Sequence, residues 1–189
     1  MPSLILQPSK LYHVYNRGNN QELLFYKPEN YRYFLVKMRQ YLAPHVRILA
    51  WCLMPNHFHL LLATPDDFNS PAYSQAVRTW LSSYTRAIQR QENRTGSLFQ
   101  QHTRAKELDT EQYASICFCY IHQNPLRAGL ARNAQQWVWS SYLDYIGLRA
   151  GTLCDFAAAR ELLDLPDEPA EIGQLILQTL PDDVATALF

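Results

Sequence analysis

Two apolar runs, residues 46–54 (VRILAWCLM) and 57–64 (HFHLLLAT), flank a Pro55-Asn56 pair. Proline presets the backbone for the first central position of a tight turn and asparagine suits the second, so the pattern predicts a hairpin of two largely buried strands. The neighbouring segments supply elements of the other kind. Residues 11–19, with Tyr12, Val14 and Arg17, read as a strand ending at Gly18. Pro28 then opens a helix whose Tyr31, Phe34, Leu35, Met38, Tyr41 and Leu42 recur on one face, and Pro44 stops it. After the hairpin, Pro71 opens a second helix with Val77, Trp80, Leu81, Tyr84 and Ile88 as its core stripe and Arg86, Arg90 and Arg94 on another side. A fourth strand follows Gly96 at residues 100–107 (QQHTRAKE).

The order βαββαβ predicts an α+β fold: an open four-stranded antiparallel ferredoxin-like sheet with helices on one face. The third strand is central. Asp109 with Gln112 reads as a capping box for a third helix bearing Tyr113, Ile116, Cys117, Tyr120 and Asn124, ended by Pro125. Beyond residue 133 the aromatic segment WVWSSYLDYIG packs on the body, and residues 171–180 suit a short amphipathic helix. This divides the chain into a main domain over 1–132 and a helical extension with an acidic tail over 133–189.

Composition removes several classes. At 48% hydrophobic and 18% charged the chain is not disordered, and no apolar run approaches the roughly 18 residues of a membrane span. The first residues hold prolines at 2 and 8 and no basic segment, unlike a signal peptide, which points to the cytoplasm. Four cysteines, with one C-x-C pair, read as reduced buried thiols rather than a zinc knuckle. Neither a Walker loop nor a G-x-G-x-x-G run is present, so nucleotide cofactors are not indicated. The zero net charge conceals sixteen Lys and Arg against nine Asp and Glu over residues 1–149, and one against eight over 150–189. A basic body suits a polyanion, although a solvated charged surface gives the same count.

Chemistry is concentrated in two places. On a strand, the period of two puts His57 and His59 on one face and Phe58, Leu60 and Leu62 on the other. Paired neutral imidazoles are ready metal ligands, and equally they are what two ordinary histidines at a strand start look like. In the third helix Tyr120 and Asn124 stand four residues apart and share a face, either as a reactive phenol with an amide oxygen or as a core tyrosine and a helix-ending asparagine. Taken together, the four residues suit phosphodiester cleavage. Two imidazoles and the Asn124 oxygen would hold a divalent cation against a phosphate, with Tyr120 beside it. A phenol with a pKa of about 10 is scarcely ionised at neutral pH, so the site must assist its deprotonation.

The stretches MPNHFHLLL and YIHQNPLRAGL, together with YHVYNRGNN, GSLFQQHTRAK and WVWSSYLDYIG, resemble the REP-associated tyrosine transposases. These are relatives of the insertion-sequence single-strand transposases in the HUH endonuclease group. The resemblance spans residues 11–147 in order and implies a ferredoxin-like domain that cleaves and rejoins single-stranded DNA at hairpins through a covalent 5′-phosphotyrosine. It implies His57 and His59 as metal ligands, Asn124 as the third, Tyr120 as nucleophile, and Mg2+ or Mn2+ as cofactor. Arg17, Arg104, Lys106 and Arg127 lie in the matched segments and suit DNA phosphates; unpaired bases can stack on Tyr15 or Phe99. The implied partners are single-stranded DNA hairpins, not a membrane, with a monomeric or homodimeric protein acting on the bacterial nucleoid. Two other readings share the residues: a hairpin-binding protein that has lost catalysis, and a hydrolytic metal phosphodiesterase in which water attacks. A barrel metallohydrolase would need about 250 residues.

Overall fold

The structure is a computed structural model that describes residues 5–180. The body contains β1 (Leu11–Arg17), α1 (Pro28–Tyr41), β2 (Arg47–Met54), β3 (His57–Ala63), α2 (Ser70–Gln91) and β4 (Arg104–Leu108). The sheet order is β2-β3-β1-β4, every pair antiparallel, which is the expected ferredoxin-like α+β arrangement with β3 and β1 in the middle.

Strand periodicity divides the sheet into two unlike faces. Val14, Asn16, Phe58 and Leu60 point to the face carrying α1 and α2, where Phe34, Phe58 and Trp80 interlock. The other face carries His13, Tyr15, Arg17, His57, His59 and Leu61, and α3 (Glu111–Arg127) lies across it over β2, β3 and β4. Both faces are covered, which is why β2 and β3 are almost continuously apolar.

Three local expectations change. The cap of α3 is Thr110, whose hydroxyl accepts the Tyr113 N–H from an extended backbone, rather than an Asp109 capping box. The helix also continues through Pro125. Its missing N–H falls in the last turn, where Leu130 N–H bonds the Pro125 carbonyl and Gly129, at φ 68°, turns the chain out. Finally, β4 begins at Arg104 rather than Gln100. Asn16 reaches across to the Gln100 carbonyl and the Thr103 hydroxyl, holding residues 100–103 as a loop outside the ladder.

Beyond α3, residues 139–141 cover the free edge of β2: Leu53 N–H bonds the Trp139 carbonyl, and Ser141 N–H bonds that of Trp51. Then come α4 (Tyr142–Tyr145), α5 (Phe156–Leu163) and α6 (Pro169–Ile176). The helix α5 was not expected; Asp155 caps it and donates its own N–H to the Ile48 carbonyl of β2. The amphipathic helix expected over 171–180 is α6, displaced toward Pro169; the rest of the acidic tail, from residue 181, lies outside the described residues. Among the described residues no helix is long and apolar enough to cross a membrane.

His122 ties α3 to this extension. Its Nδ1–H donates to the Phe118 carbonyl, so Nε2 accepts from the Ser141 hydroxyl at 2.7 Å. Burial pushes the imidazole down to about 3, with the Phe118 hydrogen bond opposing. An unfolded histidine takes its proton near 6.5, so between those values the unfolded chain binds more protons and stability falls as pH drops. One such proton is worth up to about 1.4 kcal/mol per pH unit. We expect His122→Gln to lower Tm at neutral pH and to lose stability less steeply on acidification. Parallel pH profiles for the two proteins in thermal melts would refute this.

Candidate active site

The ladder between β1 and β3 sets Arg17 opposite His57 and Tyr15 opposite His59, while β4 sets Arg104 opposite Tyr15 and Lys106 opposite His13. Residues opposite one another share a face. His57, His59 and the three strand cations Arg17, Arg104 and Lys106 therefore lie on the side that α3 covers. The helix lays Tyr120 over this cluster, its ring centroid 5.9 Å from His59 and 6.3 Å from His13. One turn later, Asn124 Nδ2 donates to the Tyr120 carbonyl at 2.9 Å, which leaves the amide oxygen as the acceptor end. Arg127 follows, close enough for its charge to act on the Tyr120 phenol. Arg17, His57, His59, Arg104 and Lys106 thus share one sheet face, and Tyr120 lies against it, with Asn124 and Arg127 in contact with Tyr120 on the same helix.

Hydrogen bonds prepare the imidazoles. Asn56, the turn residue, donates its amide to the Gln21 carbonyl, so its oxygen faces His57 Nδ1 at 2.7 Å as an acceptor. His57 is then the Nδ1–H tautomer with a lone pair on Nε2. His59 Nδ1 lies 2.9 Å from Nε2 of His13, which is fully buried and stacked on Tyr15. When His59 donates in this bond, its Nε2 also carries a lone pair.

Burial lowers His57 to about 4, with the Arg17 charge acting in the same direction. His59 falls well below the usual imidazole range through burial first, then the neighbouring His13, His57 and Arg17. Both rings are neutral at physiological pH. Tyr120 moves the opposite way: burial raises the phenol, while Arg127 and a hydrogen bond from the Asn124 side chain pull it back.

The rings of His57 and His59 stand 5.0 Å apart and nearly perpendicular. Each has Nδ1 engaged by a neighbour, the arrangement that orients a metal-binding histidine. Among the described residues no three His, Cys, Asp or Glu side chains cluster as ligands. The donors that stand side by side are two neutral imidazoles, to which the resemblance adds the Asn124 amide oxygen as an expected third. Such a neutral set fits a divalent cation that keeps coordination positions for water or phosphate oxygen and retains its full charge toward an anion.

His13 and Tyr15 were not identified as parts of this centre from sequence. Their signal is parity: both stand an even number of residues from Arg17 on β1, so a correct β1–β3 register brings them under the histidine pair. The arginine stripe expected along the second helix is incomplete, since Arg94 lies beyond the end of α2 at Gln91 and is held in a 2.6 Å ion pair with Glu22. Phe99 is buried, against Phe34 and Tyr84.

Fold and site together define a ferredoxin-like domain with a His-x-His pair on a central strand and a Tyr-x3-Asn helix above it. Neither a family model nor a curated protein matches the sequence. Among solved structures, the fold is matched by a REP-associated tyrosine transposase bound to a REP hairpin, with a TM-score of 0.60 and 19% identity over 84% of this chain and 94% of that one. The resemblance seen in the motifs is thus also a likeness of fold.

The tautomer and charge assignments are directly measurable. Long-range 1H–15N spectra should show His57 as a neutral Nδ1–H imidazole that titrates only near pH 4, and Arg17→Ala should move that titration upward. A His57 titrating at the ordinary value of 6.5 would contradict the assignment.

Proposed function

We propose that this protein is a metal-dependent HUH-type tyrosine transposase, a single-strand DNA endonuclease that cleaves and rejoins DNA at REP-like hairpins. The observation that carries the reading is Tyr120 lying 5.9 Å from His59, on the helix that also bears Asn124, in a fold shared with a transposase bound to a REP hairpin. The same reading places its work on the bacterial nucleoid, in the cytoplasm.

In the reaction, Tyr120 Oη attacks a backbone phosphorus, a bond forms between them, and the bond from phosphorus to the 3′ oxygen breaks. The products are a 5′-phosphotyrosine and a free 3′ hydroxyl. When bound by His57, His59 and the Asn124 oxygen, Mg2+ or Mn2+ supplies charge neutralisation at the nonbridging phosphate oxygens. Everything else falls to the chain. Burial keeps the phenol protonated before attack, so the proton leaves as the bond forms, and Arg127 and Asn124 favour the developing phenolate. The departing 3′ oxygen takes up a proton. Attack by a 3′ hydroxyl on the phosphotyrosine reverses the sequence and rejoins the strand without an external energy source. Arg17, Arg104, Lys106 and Arg127 position phosphates around this point.

Tyr120 lies on the histidine pair of its own chain, and α3 is held there by the extension, through Ser115 to the Leu163 carbonyl and Gln123 to the Ile176 carbonyl. This arrangement is compatible with catalysis in cis, in a monomer or a homodimer.

The test is a denaturing protein gel with hairpin DNA labelled in turn at each end, in Mg2+ or Mn2+. We expect label to remain on the wild-type protein and to vanish in Tyr120→Phe and His57→Ala. Cleavage without an adduct would indicate hydrolysis by water; binding with neither would indicate a noncatalytic hairpin binder. For the cation, His13→Phe should weaken Mn2+ binding about 10- to 100-fold in an electron paramagnetic resonance titration, because His59 loses the partner of its Nδ1–H. His13→Gln retains an acceptor and should be milder; equal affinity in all three proteins would remove His13 from the centre. Lys106→Ala should weaken DNA binding and reduce the slope of log affinity against log salt by about 1. A steeper or unchanged slope would exclude a phosphate contact.

A further inference from the structure

On the sheet face opposite Tyr120, a groove of about 820 Å³ runs between α2 and the loop leading into β4. Its apolar floor includes Val77, Leu81 and the covered Phe99. The lining also includes side chains with hydrogen-bonding edges, among them Gln75 and Gln100, and three basic residues, Arg78, Arg86 and His102. Among the described residues no aspartate or glutamate lines it. Apolar walls for a flat ring, amides for its edge and cations without a competing carboxylate are the complement of a nucleotide.

The groove is joined to the reaction centre by alternation along two strands. Asn16 and Ala105 line the groove, while their neighbours Arg17, Arg104 and Lys106 face the histidine side. Asn16 also fixes the loop that forms the groove wall, through Gln100 and Thr103. With β4 at the sheet edge and, among the described residues, no strand beyond it, a bound strand can pass around that edge from one cationic surface to the other.

We infer that this groove binds an unpaired nucleotide of the DNA engaged at Tyr120, with its base against the apolar floor at Leu81 and its phosphate between Arg78 and Arg86. A duplex is too wide and too rigid to place a base against this floor; an unpaired nucleotide is not. This inference rests on the DNA-processing reading and adds a second contact to it.

The experiment uses the full chain and hairpin DNA carrying a photoreactive thymine analogue at each unpaired position in turn, with crosslinked peptides mapped by mass spectrometry. We expect at least one position to crosslink to α2 or to residues 97–103. Arg78→Glu combined with Arg86→Glu should abolish that crosslink and weaken binding roughly tenfold or more. A blunt duplex of the stem sequence, with no unpaired nucleotide, should be bound equally by both proteins. Crosslinks confined to β3 and α3, with the Tyr120 adduct still formed, would overturn the groove and leave the proposed function intact. A groove crosslink suppressed by a free deoxynucleoside monophosphate while the hairpin stays bound would assign the groove to a soluble nucleotide and overturn its role in DNA binding. No binding of any hairpin would remove the proposed function and this inference with it.

Discussion

The register between β1 and β3 is the constraint on which the centre depends. It pairs Arg17 with His57, Tyr15 with His59 and Asn16 with Phe58. A slip of one residue would exchange the faces of a strand, sending the imidazoles into the aromatic core and Phe58 toward Tyr120. The core prevents this, because Phe58 lies against Phe34 and Trp80 while Leu60 and Leu62 are fully buried. Packing on the α1–α2 side therefore dictates which residues can perform chemistry on the other. The apolar middle of His57-Phe58-His59 is as much a part of the site as its histidines.

Burial then imposes a second condition. An imidazole removed from water favours its neutral form, and its ring nitrogens need partners. Asn56 answers this for His57, and His13 for His59. The same desolvation that makes the histidines ready ligands makes Tyr120 a poorer acid, so one environment pushes the two kinds of group in opposite directions. Arg127 offsets part of the effect at the phenol. The helix carrying Tyr120 is fixed from behind as well, where His122 meets Ser141 and Gln123 meets the end of α6. Position of the phenol is thus a property of the extension as well as of the sheet.

What was legible in the sequence was local. The Pro55-Asn56 turn, the strand parity of the two histidines and the four-residue spacing of Tyr120 and Asn124 all depend on neighbours within one element, and each has its counterpart in the structure. What escaped was nonlocal or energetically close. His13 matters through a bond to a residue 46 positions away, which no window of sequence displays. Residues 100–103 have a strand's composition, yet Asn16 draws them out of the ladder. Pro125 is a helix breaker in isolation, but in a final turn already closing at Gly129 it removes little. The helix α5 depends on Asp155 anchoring to β2, again a contact made across the fold.

The charge balance acquires a physical meaning from the same alternation. Arg17, Arg104 and Lys106 fall on one side of the sheet because they occupy matching parity on β1 and β4, while the acids of residues 150–180 belong to segments packed on α3 and the β2 side of the body. A polyanion approaching the β1–β4 side meets cations on both faces of one edge. On the α3 face these surround neutral imidazoles and a protonated phenol; on the other they rim a groove with an apolar floor. The two surfaces are separated by a single layer of backbone, so movement of β4 or of residues 100–103 would be felt by both. The two faces are linked through the chain itself: Asn16, which holds the groove's wall, is bonded in sequence to Arg17, which faces His57.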